Sequence, residues 1–97
     1  MTNIIDRTES EATVMNEEFI ILDAMADSPE SIVQIRKELK YYGRHLSTER
    51  IVFLLKWLLS EGYIIVDYND TGVFEDSWFN MTGKGRKYLK DNIDLVE

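Results

Sequence analysis

One segment constrains the fold of this chain more than any other, because a helix, two short strands and a second helix follow each other in it. An apolar helix with a polar N-cap is predicted over residues 47–61, and Gly62 suits its end. Two strand-like stretches, residues 63–68 and 77–81, flank a loop rich in turn-forming residues. Thr82 then suits the N-cap of the last helix. This order predicts an antiparallel hairpin between two helices.

Two further helices are predicted upstream of that segment. The first follows Asn16, a good N-cap, and is expected to end near residues 27–28, where Pro29 blocks its continuation. The second is predicted over residues 31–42, and Gly43 is its expected stop, because glycine adopts a left-handed conformation at no steric cost. The chain is therefore expected to place three helices before the hairpin and one after it.

Apolar residues recur at helical spacing and define the predicted core. In the first strand of the hairpin, strict alternation places Ile64, Val66 and Tyr68 on one face, and Tyr63, Ile65 and Asp67 on the other. The helical residues expected to be buried together are Leu22, Ile35, Leu39, Ile51, Leu55 and Leu58.

Length and composition exclude several classes of protein. Ninety-seven residues suit one domain, and 44% hydrophobic content suits a modest core. The sequence contains no cysteine and only one histidine, His45, so neither disulfides nor a multi-histidine zinc site is expected. No apolar run approaches the ~20 residues of a membrane span, and the first residues lack a signal core. We expect a cytoplasmic protein without cofactor or metal, and no residue pattern predicts an enzyme.

Charge is unevenly distributed along the chain, whose net charge is −7. Residues 1–30 contain eight acidic residues and one basic residue, and residues 61–97 contain eight and four. The middle third, residues 31–60, contains six basic residues and two acidic ones. Because salt screens charges beyond ~8 Å at physiological ionic strength, this local excess counts for more near a phosphate than the net charge.

The domain organisation is predicted to be simple. Residues 1–14 show no clear period and are expected to form an N-terminal arm, which includes Ile4 and Ile5. One domain is expected over residues 15–91, and a C-terminal tail over residues 92–97.

The pattern resembles the winged helix-turn-helix superfamily over roughly residues 16–90. A short helix that ends near a glycine, a helix opened by serine or threonine, and a Met-Thr-x-x-Gly step after the hairpin are typical of that superfamily. The matching residues are Ile35, Leu39, Gly43, Ser47, Thr48, Leu55, Leu58, Gly62, Ile64, Met81, Thr82 and Gly85. The resemblance implies a mainly α fold with a small antiparallel β-hairpin, in which a three-helix core, a wing and a C-terminal helix follow each other.

The same resemblance implies a DNA-binding transcriptional regulator that reads the major groove with its third helix, residues 47–61. The residues expected to face bases are Thr48, Glu49, Arg50 and Phe53. The residues expected to face phosphates are Lys40, Arg44, His45, Ser47 and Lys56.

Two features of the residues favour an alternative function. The wing, residues 67–76, carries four acidic residues and no basic one, whereas a wing that binds DNA usually offers lysine or arginine. Phe53 and Trp57 lie where an isolated helix would have polar residues, and such apolar surface is normally covered. The alternative is a winged helix that binds a protein partner without DNA; an acidic mimic of nucleic acid is a third possibility.

A homodimer is expected in the DNA-binding case, because apolar residues outside the core need cover. The terminal segments and the first helix are its expected contacts, since the third helix must reach DNA. The residues expected at a partner interface are Phe53, Trp57, Ile4 and Ile5.

Overall fold

Four helices and a three-stranded antiparallel sheet make up the computed structural model, which describes residues 16–93. This architecture confirms the predicted mainly α fold with an antiparallel hairpin. The predicted arm, with Ile4 and Ile5, and residues 94–97 of the predicted tail lie outside the described residues. In chain order the elements are α1 (Glu17–Ala24), β1 (Glu30–Ser31), α2 (Ile32–Tyr41), α3 (Thr48–Ser60), β2 (Ile64–Tyr68), a short 3-10 helix (Phe74–Asp76), β3 (Trp78–Met81) and α4 (Gly83–Ile93).

The ends of α2 and α3 lie within a residue of the predicted places. The side-chain oxygen of Ser47 accepts a hydrogen bond from the backbone N–H of Arg50 at 3.1 Å, which satisfies a donor that has no partner inside α3. Gly43 and Gly62 follow α2 and α3 with φ of +78° and +81°. This left-handed conformation is costly for residues with a side chain, so both glycines end their helices as predicted.

Helix α1 is shorter than predicted. It ends at Ala24, whereas the sequence pattern placed its end near residues 27–28. The backbone N–H groups of Met25 and Ala26 each bond to a carbonyl only three residues back, so the last turn tightens and the helix stops. The residue before Pro29 favours extended backbone, and the chain leads directly into β1.

Strand β1 was not predicted from the sequence. The strand order in the sheet is β1-β3-β2, and β3 is the central strand. Glu30 of β1 lies opposite Phe79, and Ser31 lies opposite Trp78. A strand of two residues has no measurable alternation, so this pairing depends on β3 being present beside it.

A bulge at Asp67 changes which side chains of β2 share a face. Val66 lies opposite Phe79, and Tyr68 lies opposite Trp78, so Asp67 is an extra residue in β2. In a regular strand Val66 and Tyr68 would face the same side. The bulge places Tyr68 beside Trp78 on the outer face of the sheet, where the two residues are 56% and 37% exposed. The predicted grouping of Tyr68 with Val66 is therefore wrong.

The hydrophobic core lies between the helices and the inner face of the sheet. Ile64 and Phe79 close the core from the sheet side, and both are buried. Burial of one such large apolar side chain contributes about 1.5–3 kcal/mol relative to exposure. All the helical residues that the sequence assigned to the core are fully buried, namely Leu22, Ile35, Leu39, Ile51, Leu55 and Leu58.

Helix α4 packs on the domain through aromatic contacts. The ring of Tyr88 stacks on that of Tyr63 with a centroid distance of 4.2 Å, and it lies 5.1 Å from the ring of Phe19. Leu89 is buried in the core. Tyr88 and Leu89 are thus the residues that anchor α4 to the domain.

Gly85 allows α4 to approach the turn between α3 and β2 very closely. A Cβ atom on Gly85 would lie 2.0 Å from the carbonyl oxygen of Tyr63, so no side chain fits there. That oxygen accepts a hydrogen bond from the N–H of Thr82 at 3.0 Å. The Thr82 hydroxyl donates to the carbonyl of Gly62 at 2.7 Å and accepts from the N–H of Gly85 at 3.0 Å. The Thr-x-x-Gly motif therefore has a packing cause.

Replacement of Gly85 tests this close approach. Gly85→Ala is expected to lower the free energy of unfolding by about 3 kcal/mol, because the backbone at Tyr63 must move. Gly83→Ala is the matched control, since nothing lies within 4 Å of a Cβ atom at Gly83. Its expected effect is within about 0.5 kcal/mol. Urea unfolding measures both; equal losses in the two variants would contradict the packing account.

The carboxyl group of Glu38 on α2 lies in surroundings that disfavour its charge. Burial, then the nearby carboxylates of Asp23 and Glu30, raise the pKa of Glu38 above its ordinary value. The folded protein therefore holds this proton more tightly than the unfolded chain does. The ionised carboxylate reduces stability above the folded pKa, and that loss disappears below the unfolded pKa.

A pH series on Glu38→Gln tests this electrostatic cost. At pH 7 the variant is expected to melt at a higher temperature than the parent, since a neutral amide replaces a carboxylate in an acidic environment. At about pH 3, where a free glutamate is mostly protonated, the difference should vanish. Thermal unfolding followed by circular dichroism measures both. The same gain at both pH values would show that charge is not its cause.

Candidate nucleic-acid interface

Helices α2 and α3 form a helix-turn-helix connected by residues 42–47. Inside the turn, the N–H of Gly43 donates to the carbonyl of Lys40 at 2.9 Å and closes the end of α2. The guanidinium group of Arg36 on α2 donates to the hydroxyl of Thr48, the first residue of α3. This contact fixes the N-terminus of α3 against the exposed side of α2.

The outer face of α3 carries two large apolar side chains. Phe53 is 60% exposed and Trp57 is 36% exposed, while Leu55 and Leu58 on the opposite face are fully buried. Glu49 and the other exposed residues of α3 surround them. The exposed set on this helix is Thr48, Glu49, Arg50, Phe53, Lys56, Trp57 and Ser60. The predicted reading face is therefore open to solvent over the described residues, and its middle is aromatic.

Arg50 is held at the edge of that face by two neighbours. Its guanidinium nitrogen lies 3.7 Å from a carboxylate oxygen of Glu17, at the start of α1. Its guanidinium carbon also lies 5.4 Å from the centre of the Phe53 ring. The side chains of Arg50 and Glu17 are 50% and 26% exposed, so solvent weakens their ion pair. Arg50 can leave Glu17 for a phosphate or a base at modest cost.

Lys56 lies on the opposite edge, next to the wing. Its ammonium nitrogen is 5.2 Å from the centre of the Phe74 ring, in the 3-10 helix of the wing. A cleft of about 340 Å³ separates α3 from this part of the wing. The cleft is lined by Thr48, Glu49, Val52, Phe53, Lys56 and Glu75. Two acidic and one basic side chain therefore face each other between α3 and the wing.

The remaining predicted phosphate contacts surround the turn before α3. Lys40, His45 and Ser47 are exposed, and Arg44 is half-buried. The side-chain oxygen of Ser47 caps α3, which leaves its hydroxyl proton able to donate to an anion. The structure thus brings the predicted base-facing residues together on α3 and most predicted phosphate-facing residues to its N-terminal end.

The wing is acidic throughout. Asp67, Asp70, Glu75 and Asp76 are all exposed, and residues 63–81 contain no lysine or arginine. The wing in this chain therefore offers no cation to a nucleic-acid backbone.

Asn69 shapes the wing loop. Its side-chain oxygen accepts hydrogen bonds from the N–H groups of Thr71 and Gly72 at 3.1 and 2.6 Å. Its side-chain nitrogen donates to the carbonyl of Val73 at 2.7 Å and to the hydroxyl of Ser77 at 2.8 Å. These bonds place the turn-forming residues of the sequence in a defined loop.

Sequence reasoning missed the partners that hold the site residues in place. Arg50 pairs with Glu17, Thr48 with Arg36, and Lys56 with Phe74. Each pair joins residues from different elements, and a single sequence carries no periodic signal for such contacts. For one of these partners, Glu17, the sequence does explain the position, because the helix dipole favours an acidic residue in the first turn of α1.

Solved structures of transcription regulators share the fold of this chain. A PadR-family transcription regulator from Clostridium difficile has a TM-score of 0.70 and 16% identity, over 81% of this chain and 84% of that chain. A PadR-like transcription factor from Bacteroides fragilis has a TM-score of 0.68 and 16% identity, over 94% and 86%. A putative transcriptional regulator from Thermoplasma acidophilum has a TM-score of 0.70 and 21% identity, over 82% and 80%.

The fold is a winged helix-turn-helix. It agrees with the superfamily resemblance found in the sequence, and α2, α3 and the β2–β3 hairpin are its helix-turn-helix and wing. No family model matches the chain, and no curated protein matches it in sequence. Among residues 16–93, no helix is long and apolar enough to cross a membrane. The same residues contain no group of three or more His, Cys, Asp or Glu side chains that could hold a metal ion.

Proposed function

We propose that this chain is a small DNA-binding transcriptional regulator, not an enzyme, that places α3 in the major groove. The helix-turn-helix of α2 and α3 supports this proposal most strongly. It exposes one face of α3 and collects basic residues on α2 and in the turn. The similar solved structures described above are named as transcription regulators, which supports the proposal.

Local charge favours this proposal despite the net charge of −7. The helix-turn-helix lies within residues 31–60, which contain six basic residues and two acidic ones. Of the acidic residues outside that segment, Glu17, Glu18 and Glu75 lie next to the face of α3. Those farther from a phosphate than the ~8 Å screening length act on it weakly. The wing would stay clear of the backbone, since its acidic residues repel phosphate.

The proposed roles follow from position on the helix-turn-helix. Thr48, Glu49, Arg50 and Phe53 face the bases. Phe53 supplies an apolar contact of the kind that suits a thymine methyl group. The residues proposed to hold phosphates are Lys40, Arg44, His45, Ser47 and Lys56.

We also infer that the regulator acts in the cytoplasm as a homodimer. Dimeric helix-turn-helix proteins bind two half-sites about one helical turn apart, which increases their affinity for a repeated sequence. The terminal segments, including Ile4 and Ile5, and α1 are the proposed contacts, since α3 must stay free to reach DNA.

A second candidate function is supported by the exposed aromatic residues of α3. Phe53 and Trp57 form an apolar strip, and Glu18 lines the cleft beside it. An apolar strip next to acidic side chains suits a basic, apolar protein partner. Failure to bind any DNA duplex at low salt would favour this candidate over the regulator.

The salt dependence of DNA binding tests the proposed phosphate contacts. For Lys40→Ala, the logarithmic slope of affinity against salt should become shallower by about 1, because one fewer counterion is released. Lys87→Ala is the matched control, since Lys87 pairs with Asp91 on α4, outside the helix-turn-helix. Fluorescence anisotropy with labelled mixed-sequence duplexes measures both slopes. Equal slopes for both variants and the parent would exclude Lys40 from the interface.

The Glu17–Arg50 ion pair gives a test of the base-facing surface. Glu17→Gln should bind DNA about two- to fivefold more tightly, because Arg50 no longer has to break an ion pair with Glu17 before it contacts DNA. Arg50→Ala should weaken binding, and adding Glu17→Gln to it should restore little.

The matched control for this pair is Glu61→Gln, which removes one negative charge at the other end of α3. Anisotropy at one fixed low salt concentration compares all four variants with the parent. Equal tightening by Glu61→Gln and Glu17→Gln would show that net charge, and not release of Arg50, causes the effect.

A further inference from the structure

The outer face of the sheet carries a cleft that the proposed DNA contact does not use. Its volume is about 430 Å³, and its lining residues are Pro29, Asp67, Tyr68 and Trp78. Pockets that bind small molecules usually measure about 300–1,000 Å³. The cleft is therefore large enough for a small ligand.

The bulge at Asp67 builds this cleft. It moves Tyr68 to the outer face, directly across from Trp78 of β3. If residues 66–68 alternated regularly, Tyr68 would face the same side as Val66, and the cleft would lose one of its two aromatic walls. The bulged residue itself, Asp67, is exposed and adds a carboxylate to the lining. One local irregularity thus places two rings and a negative charge around one space.

The charge around the cleft is negative. Asp67 lines the cleft, and the rest of the hairpin segment, residues 63–81, contains three further acidic residues and no basic one. The guanidinium group of Arg86 on α4 donates to the carbonyl of Ala26 at 3.3 Å. Arg86 does not line the cleft.

These features select among classes of ligand. A phosphate or a carboxylate would be repelled by Asp67, the acidic residue of the lining. A neutral apolar molecule would gain contact with the rings but nothing from the carboxylate. A cation gains from both, because the faces of tryptophan and tyrosine attract positive charge and the carboxylate adds an ion pair.

We propose that this cleft binds a small organic cation of the quaternary ammonium type, with Tyr68 and Trp78 as its aromatic walls and Asp67 as its counter-charge. The proposal is independent of DNA binding, since the cleft lies on the sheet and shares no lining residue with the helix-turn-helix.

A titration followed by tryptophan fluorescence tests the cleft. In the Trp57→Phe background, Trp78 is the one remaining tryptophan of the chain. Choline and its neutral isostere 3,3-dimethylbutan-1-ol have the same shape and differ in charge. Choline should change Trp78 fluorescence in a saturable way, and the alcohol should bind at least about fivefold more weakly.

Variants assign the response to the proposed groups. Asp67→Asn should weaken choline binding by about fivefold, the effect of one exposed charge pair. Asp70→Asn, the same change in the same wing but outside the lining, should leave it unchanged. Tyr68→Leu should weaken binding at least as much as Asp67→Asn, and Tyr68→Phe should retain it because the ring remains.

Equal binding of choline and its isostere would overturn the proposal. An equal response of Asp67→Asn and Asp70→Asn would also overturn it. If a substitution prevents folding, the indole N–H signals of the unmodified chain provide a second measurement by NMR. Choline should then shift the Trp78 signal and leave the Trp57 signal in place; the absence of any saturable shift would equally overturn the proposal.

Discussion

The contact between Gly85 and the carbonyl of Tyr63 is the constraint on which the arrangement of the domain depends. It joins α4 to the turn where α3 ends and β2 begins, and it leaves no room for a side chain. Thr82 binds the same turn through its backbone and its hydroxyl, and the ammonium group of Lys84 donates to the carbonyl of Glu61 at 2.8 Å. The end of α3, the first strand of the wing and α4 are therefore held as one unit.

That unit determines which surfaces the protein presents. The buried face of α3 is fixed against the core, so its outer face must point to solvent with Phe53 and Trp57 exposed. Arg50 and Lys56 lie at opposite edges of this face, one beside Glu17 and the other beside the ring of Phe74. In the proposed complex, DNA would compete with these weak contacts for Arg50 and Lys56, and a base edge or a methyl group would meet Phe53 at the centre of the face. The acidic wing, held on the same unit, adds no contact to phosphate.

Much of the fold could be predicted from the sequence because the signals were local. Helix caps at Ser47, stops at Gly43 and Gly62, and the apolar stripe of α3 each depend on neighbouring residues. The early end of α1 and the bulge at Asp67 were missed, because hydrogen bonds within the last turn of α1 and pairing across the sheet decide them.

In the candidate site, too, local features could be predicted from the sequence and contacts between elements could not. The residues of α3 that would face DNA could be placed by helical period, and the structure puts them together on one exposed face. Their partners could not be placed, because Glu17, Arg36 and Phe74 come from other elements. The cleft beside Trp78 was also missed. It depends on the bulge at Asp67, and the sequence analysis assumed strict alternation along that strand.

NMR mapping on the full chain tests whether α3 and the turn before it form the DNA-binding surface. The full chain, labelled with ¹⁵N, would be titrated at low salt with a short mixed-sequence duplex while all backbone amide signals are followed. We expect the largest shifts between Lys40 and Lys56, with Arg50 and Phe53 among them and the wing residues little changed. The absence of shifts in that segment, or shifts confined to α4 and the wing, would contradict this expectation.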